Sequence, residues 1–296
     1  MVGRVLVASA GTIALYCAAF AADLAPPPPP PPPAWTGFYL GINAGGTWSS
    51  NNTIGVTSSL AFANPAADPT VSTGTAGAMG ATGTLPVNSG GFIGGGQTGY
   101  NYQFSNGFVA SIEADIQGVS GSNKTNALHT SELILFPPFA NFAETGLNVS
   151  NGLHYLGTVR GRLGFVVTPA LLIFGDAGLA YGGVRASTSL TQFLTGPSVD
   201  TINAPYFANG SVAAARVGWT AGGGIEWLFL PNWSVRTEYL YYSLGSLTYS
   251  NGLLVNVVTP PGGIVPAGGI WNSIVSQSHA QFQGNIVRAA INFHFN

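Results

Sequence analysis

Charge is what this sequence has least of. Only 6% of its 296 residues are Asp, Glu, Lys or Arg, where a soluble protein carries about a quarter. The net charge is −2 and no run of Lys or Arg exists, so the footprint of a nucleic-acid binder is missing and no such partner is expected. Cysteine is nearly absent too. The single Cys17 falls in a leader segment, which leaves the remainder without disulfides, and the bulky Tyr16 before it argues against lipidation. His129, His154, His279 and His294 lack metal-ligand spacing, so no metal or cofactor is expected. Finally, no body segment holds the 18 or so consecutive apolar residues of a spanning helix. Yet 46% of residues are hydrophobic and the mean hydropathy is +0.31. A closed β-barrel in lipid reconciles high apolarity with short apolar runs.

Residues 1–21 read as an export signal: Arg4, an apolar stretch from Val5 to Phe20, and a small-residue site at Ala19-Phe20-Ala21. An N-terminal anchor is the alternative. Residues 22–35 form a periplasmic tether containing eight prolines, Pro26 to Pro33, a polyproline II rod of roughly 25 Å at about 3.1 Å per residue. It reads as a spacer, the alternative being a ligand for a proline-binding partner.

Residues 36–296 carry eight segments of period-two alternation: Thr36 to Trp48, Gly91 to Phe104, Phe108 to Ser120, Leu153 to Val167, Leu171 to Val184, Arg216 to Phe229, Trp233 to Leu244 and Asn285 to Phe295. Three connections are tight turns at residues 105–107, 168–170 and 230–232. Four others, at 49–90, 121–152, 185–215 and 245–284, are long and rich in Ser, Thr, Asn and Gly. Short turns on one side and long loops on the other predict an all-β, eight-stranded antiparallel up-and-down transmembrane barrel with four extracellular loops.

The strand charges test this. Glu113 and Asp115, Arg160 and Arg162, and Arg236 and Glu238 are each two residues apart, so both members of a pair share a face. Asp176, Glu226 and Arg288 follow the same phase. The opposite phase holds residues such as Ile112, Val159, Leu163 and Val235, which predicts a charge-free lipid face. The nine charged residues are expected to form an ion-pair network that plugs the narrow interior, the alternative being an ion-conducting pore. Trp35, Trp48, Tyr100, Tyr102, Trp219, Trp227, Trp233, Tyr239 and Tyr241 fall near strand ends and read as aromatic girdles at the bilayer interfaces.

The segments ADLAPPPPPPPPAWTGFYLGINAGGTW, GGFIGGGQTGYNYQF, TVRGRLGF, LLIFGDAGLAYGG, VGWTAGGGIEWLF, WSVRTEYLYYSLG and NIVRAAINFHF together resemble the small outer-membrane β-barrel proteins of alphaproteobacteria. That resemblance implies an OmpA-like transmembrane barrel, an immunogenic surface protein labelled porin-like, with haemin binding in some members. It implies partners in outer-membrane lipid, lipopolysaccharide and the barrel-assembly machinery. The sequence ends with the barrel, so no peptidoglycan-binding domain is expected, and the terminal aromatic is displaced by one residue, to Phe295.

Other motifs are weaker. Gly94, Gly96 and Gly99 spell a dinucleotide fingerprint without a following helix. His129 and His279 lie in the loops, where a histidine could ligate haem iron, while His154 and His294 are expected inside the barrel. No nucleophile, base and orienting trio is evident, so an enzyme is not expected. The reading is therefore a structural surface barrel that contributes to envelope integrity, with a surface receptor for haemin or a host ligand, or a narrow porin, as alternatives. Phe136, Pro137, Pro138 and Phe139 form the most apolar loop patch.

Overall fold

A computed structural model describes residues 35–49, 51–63, 72–136, 139–197, 205–256 and 272–295. The export signal, the proline run and the side chains of the Phe136-to-Phe139 patch lie outside the described residues.

The strands are β1 (Gly37–Trp48), β2 (Thr53–Ala63), β3 (Gly83–Pro86), β4 (Gly90–Gln103), β5 (Phe108–Ser120), β6 (Lys124–Phe136), β7 (Phe139–Thr168), β8 (Leu171–Thr195), β9 (Tyr206–Leu230), β10 (Trp233–Leu253), β11 (Val255–Asn256) and β12 (Asn272–Phe295), with one helix, α1 (Ser72–Gly80). Eight of them pair in the order β1-β4-β5-β7-β8-β9-β10-β12, and β12 returns to β1 through an antiparallel ladder from Phe38↔Phe295 to Trp48↔Asn285. Closure leaves this ring without an exposed edge, the condition for placing backbone amides in hydrocarbon.

The turns at 105–107, 169–170 and 231–232 crowd one end of the ring. In the first, Gly107 has a φ of 85°, the left-handed region that glycine enters without penalty, and its amide donates to the Phe104 carbonyl at 3.1 Å.

At the other end the structure differs from the expectation of long loops. β7, β8, β9, β10 and β12 run on as strands well beyond the predicted segments, and β2, β3 and β6 join them. The cause is an inversion of polarity. Within the ring the outward phase of β8 shows Ile173 and Leu179, both exposed, and the inward phase holds buried Asp176. Further along, the outward phase becomes Arg185, Ser187 and Ser189, while Val184, Ala186 and Leu190 are buried inside. The extension therefore has an apolar interior and a polar exterior, as in a water-soluble barrel. α1 packs against β2, β6 and β7 there, with the Gln192 amide donating to the Gly77 carbonyl at 2.9 Å and the Thr130 hydroxyl to the Gly80 carbonyl at 2.7 Å.

Half-way along β1, Ile42 is 70% exposed on the outward face while its neighbour Asn43 is buried. Ile42→Lys is expected to destabilise the barrel by about 2–4 kcal/mol, the cost of a lysine near the bilayer mid-plane. Urea unfolding in lipid vesicles, with Ile42→Leu as the neutral control, checks this.

Candidate functional site: a charged layer inside the barrel

The inward phases of six ring strands carry acids or arginines to one level. β5 supplies Glu113 and Asp115, β7 Arg160 and Arg162, β8 Asp176, β9 Glu226, β10 Arg236 and Glu238, and β12 Arg288 completes the set. Register explains the meeting: Glu113 faces Arg160, Arg162 faces Asp176, Arg236 faces Glu226 and Glu238 faces Arg288 across neighbouring strands. The structure thus brings all nine together, and each is at least nine-tenths buried.

Arg160 is the hub. Its two terminal nitrogens reach Glu113 at 2.5 Å, Asp115 at 2.9 Å, Asp176 at 2.8 Å and Glu238 at 2.9 Å. Glu113 is the busiest acid, also accepting from Arg162 at 2.7 Å and Arg236 at 2.6 Å. Arg288 bridges Asp115 at 2.8 Å and Glu238 at 2.6 Å, and Arg162 reaches Glu226 at 3.1 Å. The Arg162 guanidinium lies 4.1 Å over the Phe174 ring, a cation–π contact from the same wall.

Neutral residues complete the layer. Tyr39 donates its hydroxyl to Glu113, and it reaches across the neighbouring β4 to do so over Gly99, where a side chain would meet the Tyr39 oxygen at 2.5 Å. That is the structural use of a glycine in the apparent dinucleotide fingerprint, which lies wholly within β4. Gln97 donates to Asn292 at 2.6 Å, and Asn292 in turn to Glu226 at 2.8 Å. Thr158 donates to Asp115 at 2.8 Å and Ser234 to Glu226 at 2.6 Å. None of these neutral groups was singled out as a network member from the sequence. Their one signal is that each shares the inward phase of its strand with a charged residue or faces one across a ladder, except Tyr39, which faces His294 and Gly99.

Apolar groups close the layer from both sides. Toward the turns, Trp35, Val109, Leu172 and Leu228 form one buried cluster. Toward the extension, Ile93, Leu156, Leu240, Tyr242, Leu244 and Ile286 belong to a larger one.

Two sequence expectations are corrected here. Trp35 does not join an interfacial girdle: it is fully buried, its amide donates to Gln103 Oε1 at 3.0 Å and its ring meets His294 edge-on at 5.9 Å. It precedes β1 and so escapes the alternation that turns the other tryptophans outward. His154 is exposed, not interior, because the β7–β8 register slips between Leu153 and Tyr155 and leaves it as the unpaired residue of a bulge. His294 is buried beside Ser234 Oγ at 2.9 Å.

The remaining aromatics lie on the outward side in two zones. Tyr100, Tyr102, Trp227 and Trp233 sit toward the turns, with Phe38–Tyr100 and Trp233–Phe293 ring pairs at 4.8 and 5.2 Å. Trp48, Trp219, Tyr239 and Tyr241 sit toward the extension, where Trp219 and Tyr241 stack at 5.2 Å. His129 and His279 are exposed on β6 and β12, which do not pair with each other. Among the described residues no three His, Cys, Asp or Glu side chains gather as a metal site.

A closed ring with apolar residues outside and a packed charged layer inside defines a transmembrane β-barrel. The outer membrane protein beta-barrel domain matches residues 12–259, and the chain belongs to that family. It is 32% identical over 214 residues to the 31 kDa outer-membrane immunogenic protein of Brucella melitensis, covering 72% of each chain. It is 28% identical over 168 residues to the 22 kDa outer membrane protein of Rhizobium leguminosarum, covering 54% of this chain and 60% of that one. Among solved structures, the outer membrane protein OprG of Pseudomonas aeruginosa aligns at 9% identity with a TM-score of 0.37, covering 88% of this chain and 97% of that chain. The protein is therefore an integral outer-membrane barrel, and its outward band meets the lipid and lipopolysaccharide of that membrane.

Proposed function

We propose that this is a structural surface protein of the outer membrane, without enzymatic activity, whose barrel is a sealed wall element and not a channel. The observation that carries this is the layer of four arginines and five carboxylates held between two apolar clusters. Water crossing the interior would have to separate ion pairs already in contact and then wet an apolar packing, both unfavourable. The short turns face the periplasm and the strand extension faces outward, the usual asymmetry of such barrels. The name of the Brucella relatives, an immunogenic protein, supports exposure of that end. Phe295, 58% exposed on the closing strand β12, supplies the terminal aromatic for recognition by the barrel-assembly machinery.

Planar-bilayer recording of the refolded chain tests the sealed interior. The expected result is no steady single-channel current, and a steady large conductance overturns the reading. Removal of the gene is expected to raise sensitivity to detergent without reducing uptake of small solutes.

A further inference from the structure

One face of the extension has abundant hydrogen-bonding capacity and no partner. Across β6, β7, β8 and β9, register sets Thr125, Ser150, Ser187 and Ser211 in one outward row, and Asn148, Ser189 and Asn209 in the next. These residues line a shallow groove of about 340 Å³. Among the described residues, none of the seven side chains hydrogen bonds to another group of the protein. The inward side behaves differently: Thr188, in the same groove wall, bonds Tyr249 at 2.7 Å and Ser278 at 2.8 Å. Burial lifts the Tyr249 hydroxyl above the ordinary phenol range, so the interior cluster is a neutral, satisfied support for the outward field.

The rows beneath give the face a direction. Arg185 lies one row down, opposite Gly152 and Ala213, exposed and with no ionic partner among the described residues. Three rows below Arg185 on the same strand comes Leu179, 60% exposed, beside Val217 and Trp219 at 68% and 53%. Along β8 the outward face therefore passes from apolar band to single cation to neutral hydroxyls and amides. Arg185 stands about 20 Å beyond Leu179 and Ser189 about 13 Å beyond Arg185, at roughly 3.3 Å per residue. Acid is kept away: Glu144 lies two rows above Asn148 and is bonded to Ser131 at 2.7 Å.

We infer that this face binds a phosphorylated glycolipid of the surrounding outer leaflet. Such a lipid presents acyl chains, then phosphate, then further sugar rings rich in hydroxyls, the order in which β8 presents Leu179, Arg185 and the Ser/Asn field. Arg185 takes the phosphate, for which a guanidinium fork is suited. The field above it, about 14 Å wide and 7 Å tall, matches one or two sugar rings whose hydroxyls both donate and accept. The site is continuous with the lipid-facing band, so its ligand is held beside it by the membrane and needs little intrinsic affinity. It has no aromatic or arginine anchor at its centre, which disfavours a protein partner. The inference rests on the outward orientation proposed above.

The test uses the full chain refolded in neutral detergent and three probes: a bis-phosphorylated glycolipid with its core sugars, the same lipid without them, and the free core oligosaccharide. Titration by native mass spectrometry is expected to show the sugar-bearing form binding about tenfold more tightly than the sugar-free one, a difference worth about 1.4 kcal/mol. Ser150→Val/Ser187→Val/Ser211→Val should abolish that preference, and Arg185→Gln should weaken both phosphorylated forms alike while leaving the preference. If the triple variant fails to refold, Ser187→Ala/Ser189→Ala, which leaves the strands intact, should halve the preference or more. Equal binding of the two phosphorylated forms by the wild type overturns the inference, as does tight binding of the free core oligosaccharide, which would assign the face to a soluble glycan. An epitope tag inserted beside Gly252, at the exposed bulge of β10 and outside the field, and probed on intact cells separates the two levels. An inaccessible tag defeats the orientation, whereas an accessible tag with no sugar preference defeats the inference alone.

Discussion

Arg160→Met is expected to cost the barrel about 3–5 kcal/mol of unfolding free energy, the range for breaking a buried ion pair from one side, and to cost clearly more than Glu113→Gln. The reason is charge balance. The layer holds five carboxylates against four arginines, with His294 the nearest further base. Removing Arg160 leaves Asp176 without its only ion-pair contact among the described residues and strips one contact each from Glu113, Asp115 and Glu238. Five negative groups then face three positive ones in a buried interior. Glu113→Gln removes a charge from the sign in excess, and its amide still accepts from Tyr39 or Arg162. Urea titrations in vesicles of the two single variants and the double variant form a cycle. The double variant, with four carboxylates and three arginines, should lie closer to Glu113→Gln than additivity predicts. Equal losses for the two single variants would show that contact number, not balance, governs the layer.

The ring itself was legible because lipid imposes a sharp code. Charges two apart at Glu113 and Asp115, Arg160 and Arg162, and Arg236 and Glu238 fix the inward phase without any other information, and residues such as Phe38, Leu40 and Ile291 supply the outward one. The extension was not legible, since its code has the opposite sense. Leu147, Val149, Val184, Ala186 and Leu190 point inward there, opposite Ser and Asn, and the low contrast between small polar and small apolar residues resembles loop composition. A search for alternation that allowed the phase to reverse at Gly182-Gly183 would have continued β8 to Thr195.

Parts of the charged layer were hidden for another reason. Tyr39 or Asn292 has no charge to announce it, and its role follows only from register, which pairs Tyr39 with Gly99 and His294, and Asn292 with Gly41 and Ser234. The position of Trp35 is not legible from the sequence, because a tryptophan next to a strand end is chemically suited to a bilayer interface. What decides its direction is the mouth of the barrel, where Leu172 and Leu228 leave an apolar site that only a residue outside the ladder can turn back to fill.

That site carries the second large effect. Trp35→Ala is expected to destabilise the barrel by about 3–5 kcal/mol, the range for truncating a buried tryptophan. Trp35 is fully buried and packs with Val109, Leu172 and Leu228, and its loss would also expose one side of the His294 ring. Trp233→Ala, at a position 41% exposed and meeting Phe293 edge-on, should cost much less, since that ring is already outside the packed interior. The same variant separates stability from sealing. Trp35 closes one end, but the Arg160–Glu113 layer and the Leu240–Leu244 side of the larger cluster stand behind it. Trp35→Ala should therefore stay electrically silent in planar bilayers at urea concentrations where it is still folded. A steady conductance in that variant would place the seal at the mouth instead of the charged layer. A loss no greater than that of Trp233→Ala would return Trp35 to the membrane interface.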